Sequence, residues 1–268
     1  MAKQKVLAVR KQLPRLGTRK LYHLLAGEFK KEHMAVGRDK LFSILREEQL
    51  LIVKKKRFTK TTDSRHWMHK YPNLIKGLQP VSPEQIWVAD ITWLNIKHSY
   101  CYLHLITDAY SKKIMGYEVS DNLAATNTIK ALEMALKNRK YTTPLIHHSD
   151  RGLQYCSAAY TKLLADNNIA ISMTQDGSPY DNAIAERVNG ILKDEFGLDD
   201  TFEDMGQARG ETKQSIDLYN RIRPHLSNNM LTPVEMHQQN KLKPRAWHKK
   251  TTRTLESSCG FLPSLPHS

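Results

Sequence analysis

Asp90, Asp150 and Glu186 are the residues of this 268-residue chain whose type and setting suit them best to chemistry. Asp90 interrupts Ile86-Trp87-Val88-Ala89-Asp90-Ile91-Thr92-Trp93-Leu94, an apolar stretch rich in β-branched and aromatic residues. Such a stretch reads as a strand. An acid inside it loses hydration, and only a partner such as a bound cation offsets the loss. Three carboxylates suit two hard divalent ions, magnesium or manganese in its place, with water and phosphate oxygens completing the shells. Ions held this way polarise a phosphate, acidify the attacking water or hydroxyl and steady the leaving oxygen, so no separate general base is needed. Each acid also has an ordinary reading. Asp150 can cap a turn before Gly152, Glu186 can be one more exposed helical acid, and Asp108 can approach the same site or fix a hairpin end.

The acids need elements to hold them. The pattern predicts strands at 86–94, 100–108 and 113–119, joined by connections too short for helices and therefore antiparallel. A helix at 124–138, capped by Asp121 or Asn122, follows with Ile129, Leu132, Ala135 and Leu136 inward. A strand at 145–148 ends at Ser149-Asp150. Then come a helix at 157–167, a strand at 169–173, a loop at 174–180, a helix near 181–195 carrying Glu186, and a last helix at 203–221. This order predicts an α/β fold, a ribonuclease-H-like mixed five-stranded sheet with flanking helices. In such a sheet the first and fourth strands are neighbours, which brings Asp90 beside Asp150.

The charge is uneven. Residues 1–76 hold 20 Lys and Arg against 6 Asp and Glu, and residues 77–238 hold 15 against 20. The basic region reads as three helices. The first covers 2–13; the second is capped by Thr18, with Leu21, Leu24 and Leu25 inward; the third covers about 38–48, with Leu41, Ile44 and Leu45 inward and Arg38, Lys40 and Arg46 outward. Three short helices form either a helix-turn-helix unit or a small bundle with no groove contact. The charge favours nucleic acid. Lys54-Lys55-Lys56-Arg57 suits phosphate contact and cannot read base sequence. The expected organisation is a basic helical, helix-turn-helix-like DNA-binding domain at 1–60, a linker at 61–80, a catalytic core at 81–238 and a basic, disordered tail at 239–268. No apolar run suggests a transmembrane helix or a signal peptide. Cys101, Cys156 and Cys259 match no disulfide or zinc pattern, which points to a reducing, cytoplasmic setting.

The residues carry a resemblance. Trp87-Val88-Ala89-Asp90-Ile91-Thr92, His148-Ser149-Asp150-Arg151-Gly152 with Gln154-Tyr155, Gly177-Ser178-Pro179-Tyr180-Asp181-Asn182-Ala183 and Glu186 stand in order, with 35 residues between Asp150 and Glu186. Tyr219-Asn220, Arg223-Pro224-His225 and Thr232-Pro233 follow. The set resembles the Asp, Asp-35-Glu triad of retroviral-integrase-type transposases. More closely, it resembles the second-reading-frame product (OrfB) of insertion sequences of family three, over residues 15–238. Five ordered motifs make this a specific signal. Cys156 stands where a small hydroxyl residue is common, and an Asn stands after His225 where a leucine is common.

The resemblance implies a metal-dependent DNA strand transferase with Asp90, Asp150 and Glu186 as catalytic and metal-binding residues and two magnesium ions per site. It implies double-stranded DNA partners, both element ends and target, and a first-frame product that supplies the main sequence-specific helix-turn-helix by fusion or association. It further implies a homo-oligomer on DNA, a cytoplasmic, nucleoid-associated setting and no membrane. Lys193, two helical turns past Glu186, is expected to contact a phosphate. Asn189 is expected to share that surface or to face solvent, and Arg151 to face DNA or hold its loop. Tyr180 is expected to stack on a displaced base or to pack on the sheet. Of His147 and His148, one is expected to face the core. The competing readings are a same-fold nuclease or junction resolvase without strand transfer, and a DNA-binding regulator.

Overall fold

The computed structural model describes residues 1–53, 67–175 and 182–244, with the backbone of Arg253 and Thr254. Three helices open the chain: α1 (Ala2–Gln12), α2 (Thr18–Lys31) and α3 (Arg38–Glu47). Leu21, Leu25 and Phe29 recur every four residues along α2 and are buried, as a 3.6-residue period requires. Each contributes about 1.5–3 kcal/mol of apolar burial. Thr18 is the first helical residue rather than the cap; the cap position is Gly17, without a side-chain bond. The helix also runs past Gly27 to Lys31.

The strands are β1 (Leu78–Gln79), β2 (Ile86–Ile96), β3 (Ser99–Asp108), β4 (Ile114–Ser120), β5 (Leu145–Ser149), β6 (Ile169–Met173), β7 (Thr201–Phe202) and β8 (Arg253–Thr254). The main sheet runs β4-β3-β2-β5-β6, and β7 adds a short parallel pairing to the far end of β2. β2, β3 and β4 are antiparallel, and β5 and β6 join in parallel. The mixed sheet flanked by helices is the expected ribonuclease-H-like arrangement, with β7 as an unforeseen sixth strand. In the β2–β3 turn, His98 takes positive φ (63°) between the paired residues Ile96 and Ser99.

Helices cover both faces. α4 (Ala125–Lys137), α5 (Leu153–Cys156) and α6 (Ala158–Asp166) cover one face, where Trp87, Ala89, Ile106 and Met115 meet Leu132, Tyr155, Tyr160 and Leu164. Gly116 lets α4 approach, since a Cβ there would stand 2.1 Å from the Ala131 carbonyl oxygen. Ala124, not Asp121 or Asn122, holds the α4 cap position, and Asn122 Oδ1 accepts from the Ala124 N–H instead. On the other face α7 (Ala183–Phe196) and α8 (Met205–Arg221) pack Val188, Ile191, Leu192, Ile216 and Tyr219 on Leu94, Leu103 and Leu105. Val6, Leu21, Leu25, Leu41 and Leu45 of the opening helices belong to this same cluster. The opening helices are therefore packed onto the body.

An ion cluster fastens the join. Glu195, near the end of α7, accepts from Arg223 Nε and Nη2 at 2.8 and 2.6 Å and from Lys20 Nζ at 2.9 Å. Its backbone carbonyl accepts from the Arg15 N–H. Burial, with repulsion from Arg223, brings Lys20 down to about 8.

A short helix, α9 (Pro233–His237), ends the body. Thr232 and Glu235 form a capping box around Pro233. The segment expected as a linker is partly tied to the body: Pro72 O accepts from Met173 N, and Ser172 Oγ accepts from Leu74 N. The expected disordered tail begins in contact, with Tyr110 Oη donating to the carbonyls of Gln239 and Leu242.

α9 carries His237 into a buried charge cluster. Its Nε2 lies 3.1 Å from Glu84 Oε1, and its Nδ1 lies 3.7 Å from Asp108 Oδ1 and 3.0 Å from Ser111 Oγ. Asp108 also accepts from the Glu84 and Ser111 N–H groups. It therefore fixes the hairpin end and lies outside the site, resolving the two readings left open. Burial alone would lower His237, but Asp108 and Glu84 raise it above its ordinary 6.5. Burial likewise pushes both acids up, and His237 reverses it, so both end below their ordinary values. The acids' contribution is present above their unfolded values, 4.5 for Glu84 and 3.8 for Asp108, and is lost as pH falls through their lowered folded values. The histidine's is complete below pH 6.5 and is lost as pH rises through its raised value. His237→Gln is expected to cost about 3 kcal/mol at pH 6. In urea unfolding the deficit shrinks as pH rises through the raised value, where the wild-type histidine loses its proton.

Candidate active site

Strand register decides the site. β2 and β5 pair in parallel with Ile86 opposite Ile146, Trp87 opposite His147 and Val88 opposite His148. The same offset carried two residues further sets Asp90 level with Asp150, one residue beyond β5. Level residues on adjacent strands point to the same face. Asp90 therefore shares the face of Ile86 and Val88, the one on which Ala185 of α7 packs. The β2 edge between Val88 and Asn95 has no strand partner on the β5 side among the described residues. There the Asn182 side chain donates to the Ala89 carbonyl at 3.0 Å.

Burial and then repulsion from Asp150 push Asp90 up to about 7, with Glu186 adding a weaker repulsion. Asn189 Nδ2, on α7, donates to Asp90 Oδ2 at 2.7 Å and opposes the rise. Asp150 Oδ1 accepts from the Gly152 N–H at 2.9 Å. It thus caps its turn, as the ordinary reading had it, and still faces Asp90. A Cβ at Gly152 would lie 3.0 Å from Asp150 Oδ1, so a larger residue there crowds that carboxylate. Glu186 is exposed in the first turn of α7, and partial burial raises its carboxyl. Among the described residues no group of three His, Cys, Asp or Glu side chains is gathered tightly enough to hold a metal ion. Asp90 and Asp150 adjoin, and Glu186 stands at the rim. The donor set nonetheless fits a hard divalent cation. It is all oxygen, and the charge it lacks is positive.

The other expected site residues divide. Asn189 is buried with its amide on Asp90, so it is neither solvent-facing nor on an outer surface. Lys193 lies on α7 with Nζ 4.4 Å above the Trp93 ring. Arg151 is half-buried beside Asp150. Arg38 and Lys40 are exposed on α3, with Arg38 Nε 2.8 Å from Asp39 Oδ1. Lys54, Lys55, Lys56, Arg57 and Tyr180 lie outside the described residues. Both histidines are buried: His147 bonds Tyr160 Oη at 2.9 Å and His148 bonds Ser172 Oγ at 2.8 Å. Neither belongs to a metal cluster among the described residues. Sequence reasoning counted Tyr155 in a motif and gave it no role; it is a fully buried phenol raised by burial and by Asp150, whose hydroxyl has no hydrogen-bond partner among the described residues.

Two family profiles match, both described as integrase core domain, over residues 80–179 and 167–233. An insertion element IS600 31 kDa protein of Shigella sonnei is 35% identical over 220 residues, 81% of this chain and 79% of that protein. The transposase InsF of insertion sequence IS3A from Escherichia coli K12 is 32% identical, over 73% of this chain and 69% of its own length. The chain belongs to the IS3 family of insertion-sequence transposases. Within that family it is an OrfB-like integrase core, a transposase and integrase catalytic domain. The fold agrees with a simian T-cell lymphotropic virus intasome structure at TM-score 0.52 and 18% identity, over 87% of this chain and 75% of that one. Among the described residues no helix is long and apolar enough to cross a membrane.

The electrostatics of this IS3-family core carry a signed expectation. An acid raised from 3.8 to about 7 loses the fold stability as pH climbs between those values, and the penalty is complete above them. Asp90→Asn is expected to stabilise the chelator-treated protein at pH 8 by on the order of 2 kcal/mol. In urea unfolding the gain disappears near pH 4, where the wild-type carboxyl is already protonated when folded.

Proposed function

We propose that this chain is the catalytic subunit of an insertion-sequence transposase, cleaving element ends and joining them through Asp90, Asp150 and Glu186. The observation that carries the reading is the β2–β5 register, which carried two residues on sets Asp90 level with Asp150, together with the burial and the Asp150 charge that push Asp90 up to about 7. A site that strains its own acids in this way is suited to a dication.

In this reading Asp90 and Asp150 hold the ion pair, magnesium with manganese as substitute, and Glu186 closes the site from α7. The ions, when bound, neutralise the phosphate and activate the attacking oxygen. The residues supply position. Asn189 fixes the Asp90 carboxylate, the Gly152 N–H fixes that of Asp150, and α7 presents Glu186 and Lys193 along the same strand edge. The reaction is phosphodiester transesterification. A DNA 3′-hydroxyl attacks phosphorus, a strand oxygen departs with the proton, and one phosphodiester is exchanged for another; water in the same place hydrolyses the bond instead, leaving a phosphomonoester and the free 3′-hydroxyl.

DNA is the partner, as element ends and as target. Arg38, Lys40, Lys54, Lys55, Lys56 and Arg57 are proposed to meet phosphates. Arg151, Lys193 and Tyr180 are proposed to line the path to the acids, while Asn189 acts through Asp90. The domain scheme is a helical DNA-binding part at 1–60, a linker at 61–80, the core at 81–238 and a basic tail at 239–268. A first-frame product, fused or associated, would complete end recognition, and the assembly would be a homo-oligomer on DNA in a nucleoid setting.

The test is a gel assay for joined strands, with the chain fused to its first-frame product, element-end DNA and Mg²⁺ or Mn²⁺. Asp90→Asn should lower joining about 1,000-fold or more while leaving DNA binding intact. Asn189→Ala should lower it about 10–100-fold, as expected for a group that orients a ligand. Cleavage with no joined product would favour a nuclease of the same fold.

A further inference from the structure

Asn182 opens the helix that carries Glu186, and it does not do what an asparagine in that place ordinarily does. It holds the N-cap position of α7, where Asn is favoured because its side-chain oxygen accepts from an N–H of the first turn. No such bond forms. The side chain turns to β2 instead, and Nδ2 donates to the Ala89 carbonyl at 3.0 Å. A carbonyl only accepts, so the amide nitrogen must be the atom that faces it. Oδ1 is left buried with no hydrogen-bond partner among the described residues, on a residue only 6% exposed. A forgone cap and an unpaired buried oxygen are two costs set against one hydrogen bond. An arrangement costlier than its local alternative points to a demand from the site rather than from the helix.

The bond falls at the peptide that leads into the first acid. The Ala89 carbonyl and the Asp90 N–H belong to one planar unit, so a hold on the carbonyl is a hold on the backbone of Asp90. Past Val88, β2 has no strand partner on the β5 side until Asn95 among the described residues, and the Asn182 amide stands in for one. On the helix side, the Asn182 backbone carbonyl accepts from the Glu186 N–H at 3.2 Å. Two hydrogen bonds through one residue therefore join the peptide of Asp90 to the residue that bears the third acid. The apolar contacts at this level are Ala185 and Ile184 with Ile86 and Val88. Apolar contact is non-directional and lets a helix slide, whereas a hydrogen bond to one carbonyl fixes its height along the strand.

We propose that Asn182 is a positioning residue for the acidic site: its amide clamps the first turn of α7 to the open edge of β2 and so sets where Glu186 stands relative to Asp90 and Asp150. The inference rests on the transposase reading, and it names the residue through which the third carboxylate is placed.

The test uses the full chain and two variants. Asn182→Ser keeps a side chain able to cap α7 and loses the reach to Ala89, and Asn182→Ala loses both. Mn²⁺ affinity is read by electron paramagnetic resonance on protein shown to be folded by circular dichroism. Both variants should bind Mn²⁺ about 10-fold more weakly than wild type. In a Glu186→Gln background neither should cause a further loss, because the clamp acts through that carboxylate. Wild-type affinity in both variants overturns the proposal, and so does an undiminished further loss in the Glu186→Gln background. A serine variant that binds like wild type while the alanine variant does not overturns it too, since Asn182 is then an ordinary cap. Metal-free hydrogen exchange is the second readout. The amides of residues 184–188 should exchange about 2- to 10-fold faster in both variants with α8 unchanged, and unaltered exchange there overturns the clamp. Where neither variant folds, the wild-type Asn182 side-chain amide decides: it should exchange more slowly than a free asparagine amide, and exchange at the free rate overturns the proposal. A wild-type chain that binds no Mn²⁺ fails as a metal-dependent transferase, and the exchange data then decide the clamp by themselves.

Discussion

Two carboxylates, one inside β2 and one just past the end of the parallel strand β5, are set level by the register, and the rest of the fold holds that repulsion in place. Asp90 and Asp150 are brought together by a register that β2 and β5 fix over only three paired positions. Burial and like charge together push Asp90 up to about 7. Only an amide opposes this through a side chain, from Asn189. The neighbourhood that strips Asp90 of water is the tight packing of α7 on the Ile86, Val88 and Ala185 cluster. Stability lost at the site is met elsewhere, in apolar clusters on both sheet faces and in buried charge clusters whose members are paired. Strain kept at a functional site and offset at a distance is a general pattern.

Much of this was legible because the signals were local. The run from Ile86 to Leu94 announced a central strand, the short links required antiparallel neighbours, and the motif spacing put Asp150 at the end of a fourth strand. All three hold in the structure. The apolar period of α2 and α3 likewise marked Leu21, Leu25, Leu41 and Leu45, which are buried, while Leu24 and Ile44 are only partly so and the buried Phe29 was not foreseen. What stayed hidden was tertiary. Asn189 is a polar residue on a helix, and spacing alone put it with Glu186; only the tilt of α7 against β2 turns its amide to Asp90. Asp108 was a weak candidate for the site beside its reading as a hairpin fixture, and only Ser111, Glu84 and His237, arriving from three separate segments, decide for the hairpin. The α9 helix left a readable trace, Thr232-Pro233 with Glu235 three residues after the threonine, a capping box with proline at the first helical position.

The opening helices illustrate a different limit. Their net charge, set against the acidic body, suggested a separate unit. Composition reports partners, not packing. The apolar stripes of α1–α3 share one cluster with α7 and α8, and the ion cluster at Glu195 draws Lys20 and Arg223 to the same point. A buried ion cluster is weak as net stabilisation, because desolvation consumes most of the attraction. Its stronger effect is selective. Any other seating of α2 would leave Glu195, or its cations, buried without partners, which costs several kcal/mol.

α7 therefore works as a single rigid part with four positions in sequence. Glu186 stands at the rim of the acid pair, Asn189 grips Asp90, Lys193 lies over Trp93, and Glu195 is locked to the opening helices. These residues are spaced by three, four and two positions, so all fall within about three turns, roughly 14 Å of helix. A shift of α7 large enough to break the Glu195 cluster moves the Asn189 amide off Asp90 as well, because a helix transmits displacement along its axis without absorbing it. The opening helices and the acids are thus coupled through covalent geometry and one hydrogen bond.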